Sequence, residues 1–414
     1  MYSFLRKYSI NVTGTLATQL VNSLGFLTVA AICSPLIIGT FASILACSYI
    51  TSIFFTLRIE ILAFYADNEV SEKIYFHMAS RYIFQASAGF FTLFLVTIFF
   101  LKVFETAELP QVSKAVLIIL EIFSISACLA GLSLITTVFN KRGQFSELAK
   151  VRFVVAIMTI LSQLILCVEN ASHEKLALGV VIGSVSAVLL LKETRNLVLM
   201  FTITREKVIA PAQWKFRLSD SVVQLIGIAL IQLPIIITSA LYGAEFGGYF
   251  AVAQRFSQLP LSVLATAMNE VNRRQFVANQ LEINEMRKYL FRSVTFSIVT
   301  GVVAALSIYF LARLVLPTAL PEKWSEAWIL LEIFVMIIPA RFIYVSNSYL
   351  FHALDKLSRA LITNILILLA ATIPWFLMLP FPVAIQTYSI ALAAVYCLGC
   401  LFMWQMIWGY HSKT

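Results

Sequence analysis

WILLEIFVMIIPARF, residues 328–342, decides how the rest of the chain is read. Its side chains suit hydrocarbon, yet it carries one acid, Glu332, and one base, Arg341. Apolar runs of similar character recur along all 414 residues, giving 60% hydrophobic and only 12% charged side chains and a mean hydropathy of +0.89. Soluble domains carry roughly a quarter charged residues. Each run is long enough to cross a hydrocarbon core of about 30 Å at about 1.5 Å of rise per residue. The chain therefore reads as an all-α integral membrane protein.

Twelve spans are expected, at residues 9–32, 36–57, 82–104, 115–138, 151–169, 176–191, 219–241, 247–268, 292–314, 327–350, 360–379 and 383–408. No soluble domain fits between them. The first span follows Arg6 and Lys7 and is too long for the apolar part of a signal peptide, so it is expected to stay as a membrane helix. Basic loops are retained on the cytoplasmic side. With both termini cytoplasmic, twenty-three of the 30 Lys and Arg fall on that side and five opposite, while Arg255 and Arg341 remain inside spans. A basic face meeting anionic membrane lipids accounts for the net charge of +9, and nucleic acid is not implied. All six cysteines lie in or beside apolar runs, where a thiol behaves as a small hydrophobe. Cys397 and Cys400 have metal-like spacing but no second ligand pair, so no metal site is expected.

The opening stretch has a twin. ILEIF at 119–123 echoes LLEIF at 330–334, and GTFA at 39–42 echoes GYFA at 248–251, at nearly the same separation. This spacing points to two six-helix bundles of like orientation, residues 1–191 and 219–414, around a central cavity. The cytoplasmic linker between them, residues 192–218, is polar with an apolar stripe and suits an interfacial helix. Polar stripes recur in the twin second and eighth spans, as Ser48, Ser52, Thr56, Glu60 and as Arg255, Gln258, Ser262, Thr266, with Glu270 at the inner end. Such stripes must face protein or water. For the hydroxyls alone, bonding to their own helix carbonyls is the simpler account.

Arg255 and Arg341 lie about 14 and 22 Å into their spans at helical rise. A charge at that depth costs about 2.5–3.5 kcal/mol on insertion scales, so each lines a hydrated path or has a partner. Glu332 is not the partner of Arg341 within one helix, because nine residues turn it by about 900°. The acids are duplicated and the arginines are not, which favours an anion-binding site over a copied structural ion pair. Arginine suits phosphate through its planar, permanently charged fork. Glu121 and Glu332 are near the outer ends of their spans, where snorkelling and protonation for ion coupling are both open. Glu60 and Glu270 are candidate gate residues. Pro339 is expected to bend the helix beside Arg341.

Several stretches resemble one family. SPLIIGTFA at 34–42, YGAEFGGYFAVAQRF at 242–256, NKRGQFSELAKVRF at 140–153, LALG at 176–179 and PEKWSEAWILLEIF at 321–334 are similar to bacterial polysaccharide exporters, the O-antigen flippases. That family belongs to the multidrug, oligosaccharidyl-lipid and polysaccharide exporter superfamily. The resemblance implies a flippase of the bacterial inner membrane that moves an undecaprenyl-pyrophosphate-linked oligosaccharide, a lipopolysaccharide precursor, from the inner to the outer leaflet by alternating access. The pyrophosphate would meet Arg255 and Arg341 and the sugar Gln258 and Ser262, with a polysaccharide polymerase as a neighbouring partner. No cofactor is implied beyond a proton or sodium gradient.

Two rivals remain. A multi-span polymerase or glycosyltransferase needs clustered acids or a long catalytic loop, and the three aspartates, Asp67, Asp220 and Asp355, are isolated. A drug exporter of the same superfamily would more often place an acid deep in the first half, whereas the deep charges here are positive. No GxxxxGK[ST] loop is present for ATP.

Overall fold

The computed structural model of the chain describes residues 2–56, 59–60, 74–89, 92, 109–200, 211–265, 268, 272, 283–348, 350–353 and 357–408. Their regular structure is helical. We number the long helices α1 (Tyr2–Ile32), α2 (Pro35–Thr56), α3 (residues 74–89), α4 (Leu109–Lys141), α5 (Phe145–Cys167) and α6 (His173–Leu190). After a short helix, Lys192–Met200, follow α7 (Pro211–Tyr242), α8 (Ala244–Pro260), α9 (Ile283–Phe310), α10 (Ser325–Phe334), α11 (Ile337–Asn347), α12 (Leu357–Phe376) and α13 (Phe381–Trp408). Among the described residues, eight helices are long and apolar enough to cross a membrane, and α10 with α11 makes a ninth if the bent pair is one span. Most of the expected third span, 82–104, lies outside the described residues.

Helices outrun the spans read from hydropathy. The expected linker, 192–218, holds the Lys192–Met200 helix and then the first turns of α7, whose proline at its first position is preorganised for helix and lacks only an N–H that no carbonyl would accept. Hydropathy tracks the bilayer, and helical hydrogen bonding does not end at its surface. Two compact units result, one of residues 1–33 and 40–232, the other of residues 34–39 and 233–414.

In the first unit small residues let helices approach closely, as they do where lipid offers no hydrophobic drive to association. On α6, Gly179 and Gly183 lie one turn apart and meet Gln163 and Thr159 of α5, leaving no room for a Cβ at either glycine. Gly14 and Gly25 seat α1 against Ala149 and Ile160 of α5 in the same way. Gln163, buried between α5 and α6, donates from Nε2 to the Leu176 carbonyl at 3.0 Å. Ser126 of α4 donates to its own Ile122 carbonyl at 2.6 Å and to Ser48 of α2 at 3.1 Å. A core of Ile59, Phe76, Phe139 and Leu148 fills one end.

The second unit holds residues 34–39 because of two glycines. Ser34 caps α2 by accepting from the Ile37 N–H at 3.4 Å, with Pro35 at the first helical position. This first turn of α2 lies on the first turn of α8 so closely that a Cβ on Gly39 would strike the Ala244 carbonyl and one on Gly248 would strike the Pro35 carbonyl. The contact is reciprocal: Pro35 to Ala244 and Gly39 to Gly248 are the same number of residues apart, in the twinned GTFA and GYFA stretches. Helix α8 can begin one residue after α7 because Gly243 takes φ +98°, a conformation without penalty only for glycine. Beyond this crossing, Phe250 sits edge-on among Phe334, Trp375 and Tyr388 at 5.2, 5.5 and 5.7 Å between ring centroids.

Gly39→Ala and Gly248→Ala should each cost about 1–3 kcal/mol of stability through forced backbone separation and lower the yield of folded protein in a detergent thermal-unfolding assay. Gly131→Ala, where nothing lies within 4 Å, should melt at or above the wild-type temperature.

Candidate functional site

The break between α10 and α11 creates the most distinctive polar environment. The two helices meet at 57°. Pro339 has no N–H for the carbonyl four residues back, that of Val335, and its ring crowds that oxygen. The Val335 carbonyl accepts instead from Ile338 at 3.2 Å, and Met336 donates to Ile333 at 3.3 Å, so the helix tightens and turns. The bend expected beside Arg341 is therefore present, displaced one turn toward the N-terminus.

Arg341 emerges just past this bend, half-buried. It lines a crevice with Phe334, Ile337 and Ile338 from the bend, Gln254, Ser257 and Leu261 from α8 and the start of its extension, and Tyr388 and Leu392 from α13. The space open to water centres is about 20 Å³, enough for one or two at the roughly 10–15 Å³ each requires. Gln254, Ser257 and Tyr388 are buried, and Ser257 donates to the Gln254 carbonyl at 2.8 Å. Among the described residues no carboxylate forms an ion pair with Arg341. A guanidinium beside an amide, a hydroxyl and a phenol can hold an oxyanion by charge-assisted hydrogen bonds.

Arg255 and Gln258 occupy the neighbouring face of α8, each one residue and about 100° from the stripe that meets Arg341. Both are half-buried, and Gln258 Nε2 is buried without a hydrogen-bond partner among the described residues. Helix α8 then continues as a π-helical turn, Leu261–Ala265, directly after Pro260. The Ser262 side chain and Glu270 lie outside the described residues. In α2 the Ser48 and Ser52 hydroxyls donate to their own helix, to Ile44 and Tyr49, both at 2.8 Å, and Glu60 is buried.

The twin glutamates have different surroundings. Glu332 accepts from Arg313 Nε at 2.9 Å, in a pair that is 60% exposed at the arginine and 31% at the acid. Arg313 sits in a π-helical turn, Leu311–Val315, that carries α9 onward, over the Tyr309 ring at 5.3 Å. Glu121 meets a titratable pair: one ligand atom each of Glu121, His173 and Glu174 lie within 4.8 Å of one another where α4 reaches the N-terminus of α6.

A buried polar network has no counterpart in the sequence reading. Asn272 Nδ2 donates to the Ser346 carbonyl at 2.6 Å and to Ser293 at 2.9 Å; Tyr289 donates to Asn272 at 3.0 Å and Ser293 to Asn347 at 2.7 Å. Asn347 in turn donates to the Ile343 carbonyl at 2.9 Å. Its members are scattered over 75 residues, and each is an ordinary amide or hydroxyl.

The fold is similar to that of several solved membrane proteins. The lipid II flippase MurJ, in its inward closed conformation, superimposes with a TM-score of 0.68 at 12% identity, covering 95% of this chain and 86% of MurJ. The outward-facing conformation of a multidrug resistance MATE family transporter of the MOP superfamily gives 0.63 at 12% identity, covering 97% and 96%. A mutant of the Vibrio cholerae MATE transporter VcmN gives 0.60 at 16% identity, covering 99% and 95%. At these identities the likeness establishes the fold. No curated protein matches the sequence. The profile of the polysaccharide biosynthesis protein family matches residues 39–329, more than two thirds of the chain, and the chain belongs to that family. The resemblance to polysaccharide exporters read from its motifs is thereby borne out.

Asn347→Ala should leave the Ser293 hydroxyl without its acceptor. A loss of about 1–2 kcal/mol in unfolding free energy in detergent is expected, and Asn347→Asp, although it keeps an acceptor for Ser293, should not restore it, because its charge would be buried.

Proposed function

We propose that the chain is a flippase that moves an undecaprenyl-pyrophosphate-linked oligosaccharide, an O-antigen or related lipopolysaccharide precursor, across the bacterial inner membrane. Family membership supports a role in polysaccharide biosynthesis, and the fold shared with a lipid II flippase supports translocation over catalysis. The observation that carries the reading is Arg341: half-buried at a broken helix, in a crevice of neutral hydrogen-bonding groups, with no carboxylate paired to it among the described residues. Broken helices in transporters mark substrate sites, since irregular backbone is tolerated only where it lines a cavity. In this reading Arg341 engages the pyrophosphate, with Arg255, Gln258 and Ser262 along the substrate's path, and Glu60 and Glu270 at its gate. Twelve spans in two six-helix bundles, 1–191 and 219–414, with both termini cytoplasmic, belong to the same proposal, as does a polymerase that receives the product.

Glu121, facing His173 and Glu174, is the proposed site of coupling to a proton or sodium gradient, because its surroundings change charge with protonation. Glu332, held by the permanent charge of Arg313, becomes the weaker of the two candidates. A second reading, export of drugs, is favoured by the MATE-like fold alone. It predicts binding of cationic compounds, for which Arg341 is a poor host.

In cells that depend on this protein for surface polysaccharide, Arg341→Ala should abolish the polymer while membrane abundance stays normal, and Arg341→Lys should restore part of it, since one ammonium replaces a bidentate fork. Normal polymer in Arg341→Ala would remove the arginine from the mechanism. In proteoliposomes, Glu121→Gln should flatten the dependence of flipping on an imposed pH gradient. A wild-type response in that variant would exclude Glu121 from coupling.

A further inference from the structure

A second cavity of the same unit, unrelated to Arg341, has the form of a lipid seat. It is an open groove of about 540 Å³ between α9 and α13, with α11 as its floor. That volume falls within the roughly 300–1,000 Å³ of small-ligand sites. On α9 the lining runs as Leu290, Phe291, Val294, Thr295 and Ile298, a continuous helical stripe. On α13 it runs as Cys397, Cys400, Leu401 and Trp404, again one face. Apart from Thr295 and Asn347 the walls are apolar, so the groove suits a hydrocarbon chain.

Polarity appears at one end only. Continuing the α9 stripe backward by one turn leads to Arg287 and Lys288, and continuing the α13 stripe forward leads to Trp408. The Arg287 guanidinium stacks over the Trp408 ring at 5.0 Å and donates to the Trp408 carbonyl at 3.4 Å, joining the two walls at this mouth. Trp404 and Trp408 pack at 5.7 Å, the amphipathic pair that membrane interfaces favour. Lys288 and Arg292 are exposed, and Glu285 is the single acid in residues 285–292. From Leu290 to Ile298 the groove extends about 12 Å at helical rise. That is close to one leaflet, about half of a 30 Å core.

We propose that this groove seats one anionic phospholipid of the leaflet that meets this end, with an acyl chain along Val294, Ile298 and Cys397 and its headgroup phosphate on Lys288 and Arg287. The seat would hold α9 against α13 from the lipid side, over the end of the buried network that Asn347 brings to its floor. A depth of one leaflet fits an acyl chain, and basic groups at the mouth select for negative headgroups.

Native mass spectrometry of the full-length protein in detergent, with phosphatidylglycerol or phosphatidylcholine added, tests this. The wild type should retain one phosphatidylglycerol with about tenfold preference over phosphatidylcholine. Arg287→Gln combined with Lys288→Gln should erase the preference and keep the binding, and Cys397→Trp should lose both lipids. A second measurement needs no variant: alkylation of the exposed Cys397 by N-ethylmaleimide, read at the modified peptide, should slow when phosphatidylglycerol is present. Equal retention of both lipids by the wild type would overturn the proposal, as would undiminished binding in Cys397→Trp or alkylation indifferent to lipid. Displacement of phosphatidylglycerol by an equimolar polyprenyl phosphate would also overturn it, assigning the groove to a polyprenyl chain.

Discussion

The constraint on which this structure rests is the refusal of hydrocarbon to hydrogen-bond. Every spanning segment must satisfy its own backbone, so helix is the only local choice, and lipid tails supply no drive to bring one apolar helix against another. What remains is close packing. Gly39 and Gly248 provide it where backbones touch directly, each taking up the space under the other helix's first-turn carbonyl. Ser34, Pro35 and Gly243 fix where those first turns begin. The six residues that precede Thr40 thus join the second unit although the rest of α2 belongs to the first. A single methyl group at either glycine would separate the two helix starts, and α8, which carries Gln254 and Ser257 to Arg341, begins at one of them.

The same constraint sorts the polar groups by how they are satisfied. Hydroxyls at Ser48, Ser52, Thr363 and Thr372 fold back onto carbonyls one turn earlier and carry no information about neighbours. The Asn272, Ser293 and Asn347 groups satisfy one another across three segments, which fixes the register of α9 against α11. Arg313 and Glu332 remain partly in contact with the exterior, where ion pairs contribute little to stability. Arg341 fits none of these classes. It is too buried to snorkel freely, and its crevice offers neutral groups.

Much of the fold was legible in the sequence because membrane helices write themselves as long apolar runs, and because a proline inside such a run costs a hydrogen bond that must show as a bend. The 328–342 stretch revealed both, and the structure displaced the bend only to the carbonyl that Pro339 leaves without a donor. The stripe on α8 was read one residue out of phase: Arg255 and Gln258 drew notice as the polar letters, while Gln254 and Ser257 are the groups that meet Arg341. Charge in a sequence shows that a partner is needed without showing which face supplies it. The Asn network was illegible because long-range hydrogen bonds between common residues leave no local pattern.

The ILEIF and LLEIF stretches show how similar sequence can serve unlike chemistry. Both place a glutamate at an equivalent step of an apolar helix, and the backbone around each is helical. What differs lies on the neighbouring helix: a guanidinium whose charge is permanent beside Glu332, and a histidine and second carboxylate beside Glu121. The permanent charge of Arg313 pairs Glu332 on α10 with the end of α9. Repetition supplied the position of the acids, and divergence of the facing helix decided which groups each of them meets.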